Sequence, residues 1–169
     1  MWHALHSILT AVSDFIRKRE GGHTQMPLHH ESTSYPSRIT IVSLLLEDQD
    51  RSLIADICYR NQWEVYFAKT CDEGRQVVDE LKPQIILFDR DLADSNWRLV
   101  VSAFTASSGG SCTMLISRVA DDYLWNEVVC NGGYDLLRKP LREEDVLRAI
   151  KFARSYWNSA RQTVAIPRK

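Results

Sequence analysis

The residues with the most evident chemistry in this sequence are acidic, hydroxyl and amine side chains that each follow a short apolar run. They are Glu47, Asp48 and Asp50 after the first run, Asp89 and Asp91 after the third, Ser117 after the fourth and Lys139 after the fifth. Carboxylates that gather at one place repel each other unless a cation lies among them. A hard divalent ion such as Mg2+ binds carboxylate oxygens, and a lysine and a hydroxyl suit phosphoryl oxygens. Such a set supports phosphoryl transfer to a carboxylate.

The apolar runs that precede these residues are predicted to be strands that alternate with helices. The strands are expected within 39–46, 65–68, 85–88, 113–116 and 134–137, and the helices within 51–61, 71–82, 96–105, 121–130 and 142–157. Thr70 and Glu73 form a capping box at the start of the second helix. Short buried strands that alternate with helices predict an α/β fold, a doubly wound five-stranded parallel sheet of the flavodoxin-like (βα)5 kind. In such a sheet the functional groups gather at the carboxyl ends of the strands.

The first 37 residues differ in character from the rest of the chain. Apolar residues at helical spacing between Trp2 and Ile16 predict an amphipathic helix over 2–19, and Gly21-Gly22 end it. This helix either packs on its own domain or a dimer partner, or attaches to a membrane surface. We therefore divide the chain into an N-terminal helix and linker (1–37), a main domain (38–157) and a basic C-terminal tail (158–169). Met26 is an alternative start.

Composition excludes several classes of protein. The 169 residues include 21 Lys and Arg against 22 Asp and Glu, and this balance argues against a nucleic-acid-binding chain. No apolar stretch is long enough for a membrane span. All five His lie within the first 30 residues, so the main domain has no His-based catalysis. The four Cys are scattered, which favours free thiols in a reducing compartment and hence the cytoplasm.

Two segments resemble the receiver domain of two-component response regulators. They are 83–89 (Pro-Gln-Ile-Ile-Leu-Phe-Asp) and 132–140 (Gly-Gly-Tyr-Asp-Leu-Leu-Arg-Lys-Pro), and the resemblance covers about residues 38–157. It implies that Asp89 accepts a phosphoryl group from a histidine kinase or phosphotransfer protein. It also implies that Glu47, Asp48 and Asp89 hold Mg2+, that Ser117 and Lys139 contact the phosphoryl group, and that the Lys139–Pro140 bond is cis. We expect a single-domain signalling protein rather than an enzyme, one that acts on a downstream protein without an attached output domain.

Two departures from the family pattern leave a second interpretation open. Leu45 and Leu46 occupy the places of the family's acidic pair, unless the first helix is shorter by about two residues. Leu136 stands where the family has an aromatic switch residue, and Tyr134, two residues earlier, is expected on the same face by strand alternation. The alternative is a pseudo-receiver, a binding or dimerisation module that works without phosphorylation. A flavodoxin-like cofactor-binding protein is a third possibility, although the acidic loop at 47–50 would repel a phosphate.

Overall fold

The computed structural model describes residues 39–92, 96–107 and 109–164, with side chains described as far as residue 160. The chain divides into a unit of residues 1–35 and a unit of residues 36–169, and the described residues belong to the second. The predicted helix at 2–19 and its linker lie outside the described residues. The division of the chain into 1–37, 38–157 and 158–169 stays a prediction.

The described unit is built on one sheet of five parallel strands. The strands are β1 (Thr40–Leu44), β2 (Glu64–Ala68), β3 (Ile85–Asp89), β4 (Cys112–Ser117) and β5 (Asp135–Arg138). Their order in the sheet is β2-β1-β3-β4-β5. All five residues of β3 are buried, because this central strand is covered by helices on both faces. The predicted doubly wound parallel sheet is confirmed.

Five helices connect or follow the strands. They are α1 (Asp48–Asn61), α2 (Cys71–Leu81), α3 (Trp97–Ser107), α4 (Asp122–Cys130) and α5 (Glu143–Val164). The predicted capping box opens α2: the Thr70 hydroxyl accepts from the Glu73 amide at 3.2 Å, and the Glu73 carboxylate accepts from the Lys69 amide at 2.8 Å. Helix α5 continues through Val164, beyond its predicted end at Trp157, whose side chain is buried in the core.

Alternate residues of the strands feed two cores, one on each face of the sheet. Ile41, Ile85 and Leu87 point towards α1 and α5, while Val42, Ile86 and Phe88 point towards α2, α3 and α4. This alternation is the period-two pattern of a strand buried on both faces. The two packed layers fix the carboxyl ends of β1, β3, β4 and β5 side by side. No helix within the described ranges is long and apolar enough to cross a membrane.

Candidate functional site

Asp89 is the last residue of the central strand and has no exposed surface. Its Oδ1 accepts a hydrogen bond from the Asp91 amide at 3.0 Å. The next amide, that of Arg90, donates to the Ile116 carbonyl at 2.8 Å and so ties the turn after β3 to β4. The carboxylate is therefore held at the sheet edge by the backbone on either side of it.

Lys139 reaches this carboxylate from the turn after β5. Its amide donates to the Ser117 carbonyl at 2.9 Å, and the Lys139–Pro140 bond is cis, as the resemblance implies. Its Nζ lies 2.6 Å from Asp89 Oδ2, 3.1 Å from Asp50 Oδ2 and 3.1 Å from Glu47 Oε1. The Lys139 side chain is only 5% exposed, so one buried ammonium gathers three carboxylates.

Two of these carboxylates come from the start of α1. Glu47 is the N-cap residue in extended conformation, and its side chain makes no capping hydrogen bond. Asp50 lies in the first turn and is buried. Asp48, which the sequence suggested as a metal ligand beside Glu47, is exposed, and it is not among the described residues that contact Lys139. The structure thus brings together Glu47, Asp50, Asp89 and Lys139.

The sequence placed Asp50 among the acidic residues after the first strand, but it did not choose Asp50 as a metal ligand, although a signal was present. The resemblance gave that role to Glu47 and Asp48, next to the apolar run, whereas Asp50 lies deeper, inside the helix. It stands four residues before Ile54 and seven before Ile57, both fully buried. Residues at this spacing share one face of a helix. An acidic residue on the apolar stripe of α1 was therefore the signal.

Ser117 is buried at the end of β4, next to the strand that carries Asp89. Its hydroxyl accepts from the Val119 amide at 3.2 Å, which fixes the turn after the strand. Its carbonyl accepts from the Lys139 amide, so its link to the Asp89–Lys139 pair runs through the backbone. The role of Ser117 as a phosphoryl ligand stays a prediction.

Arg118 adds a second cation that sequence reasoning missed. Its Nη2 lies 2.6 Å from Glu47 Oε1, and its Nη1 lies 3.6 Å from Asp91 Oδ2. The side chain is 69% exposed, so these contacts lie at the outer edge of the site. The clue in the sequence was its position directly after Ser117, at the carboxyl end of a strand next to β3.

The electrostatics of the site follow from these contacts. Burial alone lowers the pKa of Lys139, but the hydrogen bonds that its ammonium donates to Asp89 and Glu47, together with the nearby Asp50 carboxylate, outweigh this effect and raise it. The Lys139 hydrogen bond and charge, followed by those of Arg118, lower the pKa of Glu47. At neutral pH, Lys139 is therefore charged and Glu47 is ionised.

A cavity of about 580 Å³ lies beside the cluster. Glu47, Asp50, Arg118 and Lys139 line its charged side, and Leu53, Pro140 and Leu141 contribute apolar surface. Asp89 does not line the cavity; its neighbour Lys139 does. The cavity therefore offers a mixed apolar and charged surface beside Lys139, the residue that contacts the buried Asp89 carboxylate.

The donor set suits a hard cation in its chemistry. Glu47, Asp50 and Asp89 offer carboxylate oxygens, which Mg2+ prefers. Asp50 Oδ2 is buried and lies near Lys139 Nζ, but it accepts no hydrogen bond of good geometry. In the described ranges, however, no three His, Cys, Asp or Glu side chains are arranged to hold a metal ion, because the carboxylates converge on an ammonium.

Tyr134 and Leu136, at and near the family's switch position, are not arranged as the sequence predicted. Leu136 packs with the α2, α3 and α4 core, whereas Tyr134 packs with the α1 and α5 core and contacts Tyr156 in a tilted arrangement, with ring centroids 5.4 Å apart. The expectation that Tyr134 and Leu136 share a face was wrong. Tyr134 lies before β5 begins at Asp135, so strand alternation does not apply to it.

The comparisons with known proteins give similar folds at low sequence identity. The signal receiver domain of a Vibrio parahaemolyticus protein is 15% identical, with a TM-score of 0.68 over 77% of this chain and 99% of its own. The CheY-like response regulator receiver domain protein from Methanospirillum hungatei is 21% identical, with a TM-score of 0.61 over 73% and 98%. NtrX from Brucella abortus is 17% identical, with a TM-score of 0.68 over 75% of this chain and 30% of its own.

No family model matches the chain, and no curated protein matches its sequence. At these identities the structural likeness shows the fold alone. The described part of the chain has the fold of a response-regulator receiver domain, as the resemblance of segments 83–89 and 132–140 implied.

Proposed function

We propose that this protein is a receiver that accepts a phosphoryl group on Asp89 from a phosphohistidine and signals by binding another protein. The observation that carries the proposal is the Asp89–Lys139 contact of 2.6 Å at the carboxyl end of the central strand. The pair joins a carboxylate nucleophile to a cation of the kind that suits phosphoryl oxygens. The protein is a signalling component rather than an enzyme, and it acts in the cytoplasm.

In the proposed reaction an oxygen of Asp89 attacks phosphorus as the nucleophile. A new oxygen–phosphorus bond forms, and the phosphorus–nitrogen bond of the phosphohistidine breaks. The bonding pair goes to the imidazole nitrogen, and the imidazole leaves as a neutral ring after proton uptake from water. Lys139 stays charged because its pKa is raised, so it pairs with a phosphoryl oxygen. The Ser117 hydroxyl, at the end of the neighbouring strand, contacts a second oxygen.

Mg2+ is the cofactor that fits this chemistry. We propose that Glu47, Asp50 and Asp89 hold it, with Asp50 in the role that the sequence gave to Asp48. Held by these carboxylates, Mg2+ would supply positive charge to the transferred phosphoryl group. The buried Asp50 oxygen without a hydrogen bond of good geometry supports its part in this set.

The partners of this function are proteins. A histidine kinase or phosphotransfer protein donates the phosphoryl group, and a downstream protein reads the result. Leu53, Pro140 and Leu141 give the cavity wall an apolar character that suits a protein donor. A homodimer is compatible with this function, whereas neither nucleic acid nor membrane is part of the proposal.

A pseudo-receiver is the second candidate, and two observations favour it. Leu45 is buried and Leu46 is half exposed at the end of β1, where the family has acidic residues. Asp89 has no exposed surface, so a donor reaches it only after Lys139 or a neighbouring loop moves. In this second function the domain binds its partner without phosphoryl transfer.

The experiment that separates the two functions is intact-mass spectrometry after incubation with acetyl phosphate and Mg2+. Wild type, Asp89→Asn and Asp91→Asn are compared, all quenched cold to preserve an acyl phosphate. Asp91 is the matched control because it is a carboxylate two residues away with a half-exposed side chain. We expect one phosphoryl adduct on wild type and Asp91→Asn, and none on Asp89→Asn.

An adduct that persists in Asp89→Asn would place the modification elsewhere and contradict the proposal. No adduct on any protein, together with unchanged partner binding by Asp89→Asn, would establish the pseudo-receiver instead. Peptide mapping after borohydride reduction of the acyl phosphate identifies the modified carboxylate directly.

A further inference from the structure

Arg118 bridges two acidic residues at the mouth of the Asp89 site. It follows β4 directly, and its guanidinium lies between Glu47 at the N-cap of α1 and Asp91 in the turn after β3. A planar guanidinium with several donors suits such a bridge, whereas a lysine ammonium acts as a point charge. One exposed side chain therefore connects three separate segments of the sheet edge.

The bridge uses an oxygen that already has a cationic partner. Glu47 Oε1 lies 3.1 Å from Lys139 Nζ and 2.6 Å from Arg118 Nη2. A carboxylate oxygen with two cations in contact offers less negative potential to a third cation. A divalent ion that binds Glu47 through Oε1 must therefore displace Arg118 or share the oxygen with it.

We propose that Arg118 competes with Mg2+ for Glu47, and thereby sets the metal affinity of the site. Arg118 acts here as a positioning residue, since it holds the Glu47 carboxylate in its metal-free arrangement. The inference rests on the proposed function, because Mg2+ matters to this chain only through phosphoryl transfer. It concerns binding, however, and binding is measured without any transfer reaction.

The expected size of the effect follows from the exposure of the pair. Exposed ion pairs are weak and are screened by salt. Removal of Arg118 should lower the Mg2+ dissociation constant by about two- to fivefold at low ionic strength. The effect should shrink as sodium chloride is added, because the guanidinium is in contact with solvent.

The test is a Mg2+ titration of the full chain by isothermal calorimetry, with wild type, Arg118→Ala and Arg148→Ala. Arg148 is a close match: its side chain is 66% exposed, and its Nη2 lies 2.6 Å from Asp145 Oδ1, away from the cavity. Both variants remove one positive charge; Arg118→Ala removes the two exposed ion pairs with Glu47 and Asp91, and Arg148→Ala removes the one with Asp145. We expect tighter Mg2+ binding by Arg118→Ala and wild-type binding by Arg148→Ala.

A further variant, Arg118→Lys, keeps the charge but loses the planar fork. We expect its affinity for Mg2+ to lie between those of wild type and Arg118→Ala. Equal affinities for wild type and Arg118→Ala would overturn the inference, as would the same gain in Arg148→Ala or no Mg2+ binding by any variant.

The outcome for the proposed function is separate. Tighter binding by Arg118→Ala, with no acetyl phosphate adduct on wild type, would support the bridge and contradict the phosphoacceptor. An adduct on Asp89 with unchanged Mg2+ affinity in Arg118→Ala would support the phosphoacceptor and contradict the bridge.

Discussion

Two ion pairs at the same sheet edge differ sharply in their surroundings. The inner pair joins Lys139 to Asp89, with side chains 5% and 0% exposed, and the outer pair joins Arg118 to Glu47, with side chains 69% and 43% exposed. Both distances are 2.6 Å. Distance therefore says little about the energy of either pair, because solvent screens only the outer one. The inner pair is part of the core, and the outer pair can rearrange at low cost.

The largest expected effect is the loss of the inner cation. Lys139→Met leaves Asp89 and Asp50 buried without their counter-charge. We expect the free energy of unfolding to fall by about 3–5 kcal/mol, as for other buried pairs that lose one partner. Urea denaturation at neutral pH measures it. Mg2+ should restore part of the loss in this variant, because a bound cation stabilises the folded state that holds it.

The control for this prediction is Lys82→Met. The Lys82 ammonium is half exposed, and it pairs with Asp79 at 3.6 Å. Its removal should cost at most about 1 kcal/mol. A similar loss in both variants would mean that the inner pair contributes no more than an exposed one. The contrast between the inner and outer ion pairs would then not hold.

The sequence predicted the strands that form this sheet edge better than the side-chain contacts at their ends. Each apolar run reflects the burial of one strand on both faces. The third run therefore predicted the bounds of β3 to within one residue. The same pattern placed Asp89 and Lys139 at strand ends, where the structure has them in contact.

The start of α1 was harder to predict, because helix ends depend on local contacts. The sequence placed the helix at 51, whereas it begins at Asp48 with Glu47 as N-cap. This extra turn directs Asp50 inwards and leaves Asp48 exposed. Arg118 could not be predicted as a bridge, since it joins segments that are far apart in sequence.

A smaller effect is expected on the pKa of Glu47, whose carboxylate contacts both Lys139 and Arg118. The pKa of Glu47 is lowered first by Lys139 and then by Arg118. We therefore expect the Glu47 pKa to rise in both Lys139→Met and Arg118→Ala, and to rise more in the former. Carbon-detected NMR titration of the side-chain carboxyl groups measures these values.

The sign for stability follows from the lowered pKa. The contribution of Glu47 is present above its unfolded pKa, near 4.5, and is lost as the pH falls through the folded value. A larger rise of the Glu47 pKa in Arg118→Ala than in Lys139→Met would show that Arg118 has the stronger effect. This result would reverse the order proposed for the inner and outer cations.

The smallest expected effect concerns Asp135, a largely buried carboxylate that lacks the close lysine of Asp89. Its Oδ1 accepts from Trp125 Nε1 at 3.3 Å and from the Leu136 amide at 2.8 Å, yet burial raises its pKa. Wild type therefore loses stability as the pH rises from about 3.8 through the folded pKa.

Asp135→Asn keeps an oxygen acceptor for both donors but removes this buried charge. The variant should be slightly more stable than wild type at pH 7 and equal to it, or less stable, at pH 3. Thermal unfolding at the two pH values measures the difference. A variant that is less stable at pH 7 would show that the indole, the amide and the charge of Arg148 compensate Asp135 well. In that case burial of a carboxylate in this domain would not by itself require a lysine partner, and Lys139 would have to be explained by what it does for a bound phosphoryl group.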